Sequence, residues 1–315
     1  MPHAMLLQGR AGTGVMDFAL QLSQALLCDH PTSHHQACEA CQSCHWFGQD
    51  NHPDFRLIEP GETESGEEAD QTNASRPAKK SQIAIDQIRD LGEFLTLSSH
   101  RSGARVVLLA PADALNMSSG NALLKMLEEP PPGVIFLLVT HHPQRILPTI
   151  RSRCSVTEMP MPGKEVAESW LISQGVDQPA ERLAYSGGAP LHAMSDALGL
   201  GKELTEFHKL LMQGGATDPF VASGLTSRWS MSEFVNRLQK WIYDLISLQT
   251  AGSVRYHISL LQSLQPLVKR VDLNALLDFQ RTLDQACRHA SHPLNPDLQR
   301  ESLMIQYSQM FTMNP

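Results

Sequence analysis

Four cysteines crowd into one short stretch, Cys28, Cys38, Cys41 and Cys44, in the pattern C-x9-C-x2-C-x2-C. Four thiolates complete a tetrahedral Zn2+ shell and leave no position for a catalytic water, so this spacing predicts a closed, structural metal site. A tight cluster of this kind in a reducing compartment reads as metal binding rather than as disulfides. Two alternatives stand beside it: four free thiols, or a site in which His30, His34, His35 or His45 replaces Cys28, the most distant ligand. Cys154 and Cys287 stand alone and are expected to pack in the interior.

The second constellation is "QGRAGTGVMDF", residues 8 to 18. A phosphate-binding loop has Gly, four residues, Gly, Lys, then Ser or Thr; its backbone N–H groups cradle phosphates, the Lys neutralises charge and the hydroxyl holds Mg2+. Gly9, Gly12 and Gly14 keep the backbone part, but Val15 and Met16 occupy the Lys and hydroxyl positions. The plainer alternative is a Gly-rich turn between a strand and a helix. A working ATPase of this type also ends a later buried strand with Asp-Glu. Here the strand Val106 to Leu109 is followed by Ala110-Pro111, and Asp113 comes too late, past the expected strand end. Two failures in one apparent site argue for a nucleotide fold that has lost its chemistry. The third element is "LPTIRSRC", Leu147 to Cys154, whose arginines Arg151 and Arg153 read by themselves as a solvated pair.

These residues need a scaffold. Met5 to Leu7, Asp54 to Pro60, Arg105 to Ala110 and Val134 to Thr140 read as strands, the last two as apolar runs buried on both faces. Helical spacing covers Val15 to Cys28, with Phe18, Leu22, Ala25 and Leu26 on the expected inner face. It also covers Ile83 to Leu97, with Ile85, Ile88, Leu91 and Leu95, and Asn121 to Glu129, which stops at three prolines. Strand and helix in alternation predict an α/β module with a parallel sheet over residues 1–162, carrying the cysteine insertion at 28–44. Past Pro162 the strand signals end. Lys164 to Ser173, Gln178 to Tyr185 and Leu191 to Leu198 predict three short helices in a segment 163–204, and 205–315 reads as an all-α domain. There Ser230 and Glu233 form a capping box, Phe234, Leu238, Trp241, Leu245 and Leu248 line one face, and Asn295-Pro296 opens the last helix.

The 315 residues carry a formal charge of −8, which disfavours a protein that coats nucleic acid. Five acidic residues fall in Gly61 to Asp70, within an expected solvated loop over 61–82. No membrane span and no secretory signal are visible, so the expected location is the cytoplasm. A zinc module that reads nucleic acid directly is disfavoured, because Cys28 to Asp54 contains no Lys or Arg.

"NALLKMLEEPP" (Asn121 to Pro131), the buried strand after it and Ser152-Arg153-Cys154 together resemble the bacterial clamp-loader subunits of the AAA+ class that serve DNA polymerase III. The four-cysteine insertion after the first helix is similar as well, "YSGGAPLHAMSDAL" (Tyr185 to Leu198) less closely, and the tail "NPDLQRESLMIQY" moderately. The resemblance implies three parts: an AAA+ domain with zinc, a three-helix lid and a helical collar that holds the ring. It implies gamma/tau and delta subunits, the sliding clamp and primer-template DNA as partners. The loop with Val15 and Met16 and the absent Asp-Glu pair place the chain with the family's non-hydrolysing subunits, with no ATP of its own. Leu191 stands where an active lid carries a γ-phosphate-sensing arginine, a third loss. Arg153 is implied as an arginine finger acting in trans, and Arg151 is its competitor. The alternative within the family is a gamma/tau-like ATPase with an atypical site.

Overall fold

The computed structural model describes residues 2–61, 82–96, 103–199, 201–289 and 295–311; the stretch expected as an acidic loop lies outside them but for its ends. Two compact units divide the chain, Met1–Met161 and Pro162–Pro315. No helix among the described residues is long and apolar enough to cross a membrane.

The first unit runs β1 (Ala4–Gln8), α1 (Val15–Leu27), α2 (Gln42–Gly48), β2 (Phe55–Ile58), α3 (Ile85–Thr96), β3 (Arg105–Leu109), α4 (Met117–Glu128), β4 (Val134–Thr140), α5 (Pro148–Arg151) and β5 (Ser155–Glu158). The strands form one parallel sheet in the order β2-β3-β4-β1-β5, the α/β module expected from the sequence. The two-residue period of a strand sends alternate side chains to opposite faces. Leu6, Val107, Leu109, Phe136 and Leu138 therefore join Ile88, Leu91, Leu123 and Leu127 of α3 and α4 in one core. Leu7, Val106, Leu108, Leu137 and Val139 join Val15, Ala19 and Leu27 of α1 in another. Burial on both faces is why β3 and β4 read as unbroken apolar runs.

Three details differ from expectation. The inner face of α1 is Val15, Ala19, Ser23 and Leu27, while Phe18 is 40% exposed. Ser23 is tolerated inside because its hydroxyl donates to the Ala19 carbonyl one turn back. Helix α4 begins four residues early, at Met117, where Asn116 and Ser119 cap each other's backbone N–H. Strand β5 had no apolar signal, because its side chains stay largely outside the core on an edge strand.

The second unit contains α6 (Lys164–Ser173), α7 (Pro179–Tyr185), α8 (Pro190–Gly199), α9 (Gly201–Leu211), α10 (Pro219–Leu225), α11 (Met231–Ala251), α12 (Leu261–Val268), α13 (Leu273–His289) and α14 (Pro296–Gln309). Helices α6 to α8 share a small core of Ala167, Leu171, Leu183 and Ala193. A larger one gathers Phe207, Phe234, Leu238, Trp241, Leu245, Leu276 and Tyr307. Ser230 and Glu233 close the capping box that starts α11, and Asn295 caps α14, both as the sequence indicates.

Aromatic rings pack where α7, α9 and α11 meet. His208 stacks on Trp241 with centroids 5.5 Å apart and meets Tyr185 and His257 edge-on. Burial, with the His257 and Arg237 charges after it, lowers the His208 pKa from 6.5 to about 3. The unfolded chain thus takes up this proton near pH 6.5 and the folded chain only near 3. Stability from this site is complete above 6.5 and is lost as pH falls toward 3, by at most about 1.4 kcal/mol per pH unit. His208→Phe should flatten this acid limb; denaturant midpoints compared at pH 7 and pH 5 give the slope, and equal slopes in both proteins would refute the assignment.

Candidate functional site

In doubly wound sheets, ligands sit beyond the carboxyl ends of the strands. At that edge the Gly9 to Val15 loop leaves β1, flanked by the residues that follow β3 and β4. Gly12 and Gly14 have φ of 77° and 89°, the left-handed region open to glycine, and Gly14 caps α1. A Cβ on Gly9 would lie 2.7 Å from Val15 Cγ2 and 3.1 Å from Met159 Cβ. Val15 is 1% exposed, and Met16 packs against the same core. The residue at the Lys position is thus an apolar plug that closes the loop onto the sheet.

The loop's neighbours are spent on one another. Asp113 lies past the end of β3, as expected, and accepts a hydrogen bond from Thr140 Oγ1 at 2.7 Å. Thr140 Oγ1 in turn accepts from the His142 N–H at 3.0 Å. His141 Nδ1 stands 2.8 Å from the Gly9 carbonyl; a carbonyl only accepts, so Nδ1 carries the proton. Nothing in the sequence marked His141, because a single His after a strand has no motif.

Across the cysteine insertion, Cys28 ends α1, Cys41 caps α2 and Cys44 lies in its first turn. All four Sγ atoms fall within 4.8 Å of one another, and among the described residues no histidine joins this group. Cys28 and Cys41 Sγ are 3.9 Å apart, and Cys38 and Cys44 Sγ 4.0 Å. A tetrahedron with Zn–S bonds of about 2.3 Å separates its sulfurs by about 3.8 Å. A disulfide needs about 2.05 Å. The donor set therefore fits a four-thiolate metal centre and not a pair of disulfides. Backbone N–H groups of Cys38, Cys41 and Cys44 donate to the sulfurs of Cys28, Cys38 and Cys41 at 3.3 to 3.4 Å. Such donors favour thiolate: N–H groups of Ala40 and Cys41 bring the Cys38 pKa down to about 7. Burial pushes Cys44 the other way, to about 12.

One buried relay holds this knuckle in place. The Asp54 N–H donates to His52 Nδ1 at 3.0 Å, so His52 Nε2 carries the proton and donates to Ser43 Oγ at 2.8 Å. Ser43 passes its own proton to the Leu27 carbonyl. Leu27 and Ser43 are the residues just before Cys28 and Cys44, so the relay fixes the spacing of two sulfurs. Ser43→Ala should weaken metal binding by about 10–100-fold, the range for outer-shell changes. Competition with a chromogenic chelator measures it; unchanged affinity would reduce the relay to ordinary packing.

Arg153 follows the short helix α5 and precedes β5. Its guanidinium pairs with Glu128 and donates to the Thr149 carbonyl at 3.0 Å and Ser152 Oγ at 3.3 Å. Its side chain is 35% exposed, so a guanidinium with an internal carboxylate partner still faces outward. Arg151, two residues earlier, is exposed. Cys154 is buried as expected, and burial raises its thiol to about 11. Cys287, also expected to pack, is instead exposed on α13, whose inner face is held by Leu276, Phe279 and Leu283. Leu191, in the slot of the lid arginine, lies partly buried on α8.

Residues 1–162 match the family described as DNA polymerase III, delta subunit. The chain is 36% identical over 266 residues to "DNA polymerase III subunit delta'" of Pseudomonas aeruginosa, spanning 82% of this chain and 73% of that one. It is 33% identical over 196 residues to the protein of the same name from Escherichia coli, covering 61% of this chain and 54% of that one. A solved structure of a "dna polymerase iii, gamma subunit-related protein" from Thermotoga maritima aligns with 98% of this chain and 96% of its own, at 18% identity and a TM-score of 0.49.

Proposed function

We propose a function from the premise that this chain belongs to the family of DNA polymerase III subunit delta': it is the non-hydrolysing subunit of a clamp-loader ring that places the sliding clamp on primed DNA. The observation that carries the reading is the loop after β1. Its Lys position holds a buried Val15 packed on Gly9, and Asp113, past the end of β3, is bound to Thr140. Val15 and Met16, at the Lys and hydroxyl positions, offer a phosphate neither the cation nor the metal ligand that hydrolysis uses there. The loop serves as scaffold.

The four cysteines, Cys28, Cys38, Cys41 and Cys44, hold one structural Zn2+. When bound it supplies no reaction; it ties the end of α1 to α2. Arg153 acts on a neighbour's nucleotide. A guanidinium is always charged and presents a planar fork that meets two phosphate oxygens at once. It gives up Glu128 for the γ-phosphate bound in an adjacent ATP-hydrolysing gamma/tau-type subunit. The first unit is the AAA+ domain; within the second, residues 163–204 form the lid and 205–315 the collar that joins the ring, with a delta-type subunit, the clamp and primer-template DNA as further partners.

Two measurements test this reading. The isolated chain should show no Mg-ATP binding tighter than about millimolar, which is the regime of contacts worth only about 4 kcal/mol. It should co-purify with a gamma-type subunit in stoichiometric amount. Micromolar ATP affinity lost on mutating Gly14 would turn the reading toward an atypical ATPase, and failure to associate with a gamma-type subunit would overturn it.

A further inference from the structure

In the second unit a cleft of about 320 Å³ opens between α8 and the first half of α11, with the turn after α7 at one end. Ser186 lines it from that turn, His192 and Ser195 from α8, and Ser232, Asn236 and Lys240 from one face of α11. Its size lies at the lower end for small-ligand sites. Nothing in the clamp-loader reading uses it.

Arg237, on α11, also lines the cleft and is the informative group. It is 6% exposed, and its Cζ lies 4.0 Å from the centroid of the Trp229 ring. A ring face attracts a cation but leaves five N–H donors without oxygen acceptors. Among the described residues no hydrogen bond and no ion pair holds this guanidinium, and Nη1 is sealed from solvent. Nε and Nη2 are not sealed, so that edge of the fork is the accessible part of a residue that lines the cleft. Glu233 stands four residues earlier and lines the cleft too, but its Oε2 is bonded to the Ser230 N–H and Oγ–H at 2.8 Å each. The bond from the Ser230 amide leads in holding Glu233 below its usual range against burial, and the Arg237 charge contributes least. An arginine cannot shed its charge when buried, as a lysine can. A buried cation without a bonded counter-ion is costly, and a fork edge open to a cleft is shaped for an anion that brings the acceptors.

The walls narrow the class. A second cation stands beside the fork: Lys240 Nζ lies 4.3 Å from the Tyr185 ring centroid. The two cations face one carboxylate, Glu233, so the cleft favours an anion. Ser232 and Asn236 expose a hydroxyl and an amide on the same wall, and Ser232 sits in the first turn of a 21-residue helix, the positive end of its dipole. A carboxylate has two oxygens and is satisfied by the arginine fork alone. A phosphate group has oxygens left over for the ammonium, hydroxyl and amide donors around it. We propose that this cleft binds the phosphate group of a small molecule, with Arg237 Nε and Nη2 on two of its oxygens and Lys240 on a third. The group comes as inorganic phosphate or as a phosphate monoester.

The test uses the full chain and three probes: inorganic phosphate, glycerol phosphate and acetate. In calorimetric titrations at constant ionic strength, phosphate should bind at least about tenfold more tightly than acetate, the scale of one further charge-assisted hydrogen bond. Arg237→Met keeps an unbranched stem beside Trp229 and removes the charge, and it should abolish phosphate binding. Ser232→Asp adds a carboxylate to the exposed wall, at a first-turn position where acids suit the helix, and should weaken phosphate binding at least about tenfold. This second variant carries the test whatever the first does to folding. Glycerol phosphate binding more tightly than inorganic phosphate assigns the monoester source, and equal or weaker binding assigns inorganic phosphate. Binding of neither, acetate as tight as phosphate, or phosphate affinity unchanged in either variant overturns the proposal.

Discussion

In a reconstituted clamp-loader complex, Arg153→Ala should lower DNA- and clamp-stimulated ATP hydrolysis roughly ten- to a hundredfold while the complex still assembles. Arginine fingers are worth about 10³–10⁵ in GTPases, and a ring that shares hydrolysis among several sites dilutes the loss of one. Stability should hardly change, because the Glu128 pair is partly exposed and such pairs contribute about 0–1 kcal/mol. Glu128 supplies the discriminating control. If Arg153 matters only as the internal partner of Glu128, then Glu128→Ala breaks the same pair and should produce the same phenotype. If Arg153 acts on a neighbour's phosphate, Glu128→Ala frees the guanidinium and leaves hydrolysis intact or faster. Steady-state ATPase rates of the two variant complexes decide between these. Native rates with Arg153→Ala would remove the finger from the proposed function.

The second large effect concerns the metal. The purified chain should carry one zinc, and Cys44→Ala should lose it, with an affinity loss beyond the ~10–100-fold expected for the outer-shell Ser43. Cys44 is buried in α2 and Cys28 ends α1, so a metal held by both would tie the two helices, and without it unit-one melting should drop. Cys154→Ala is the matched control: a buried thiol outside the cluster, whose loss should leave zinc content at one. Binding must also follow pH. With burial holding the Cys44 thiol near 12 and backbone donors placing Cys38 near 7, the metal must expel protons. Each expelled proton weakens apparent affinity about tenfold for every unit the pH falls. Elemental analysis and pH-resolved zinc competition test both points; four freely titrating thiols in metal-replete protein, or pH-independent affinity, would contradict them.

Much of the site was legible before any fold was known, because the relevant chemistry is local in the chain. The spacing of the four cysteines, the apolar Val15 and Met16 after Gly14, and Ala110-Pro111 after a buried strand each lie in one short segment. So do the capping pair Ser230 and Glu233 and the unbroken apolar runs of β3 and β4, which declared a sheet covered on both faces. In all of these the cause acts between residues a few positions apart.

Tertiary structure decided what depends on partners far away. Spacing alone put Phe18 inside α1, yet the rotation of that helix is set by the sheet beneath it, which takes Val15, Ala19 and Leu27 and turns Phe18 outward. Strand β5 pairs with β1, 150 residues earlier in register, through backbone groups that no side-chain pattern reports. Glu128 meets Arg153, His52 meets Ser43, and His257 meets Asp244 only because separate elements bring them together. Propensity and spacing act along the chain, whereas ion pairs, buried relays and clefts are contacts across it. Their partners are chosen by strand register and helix packing, so the sequence marked the cysteine cluster and the altered glycine loop, and the fold alone named the groups packed beside them.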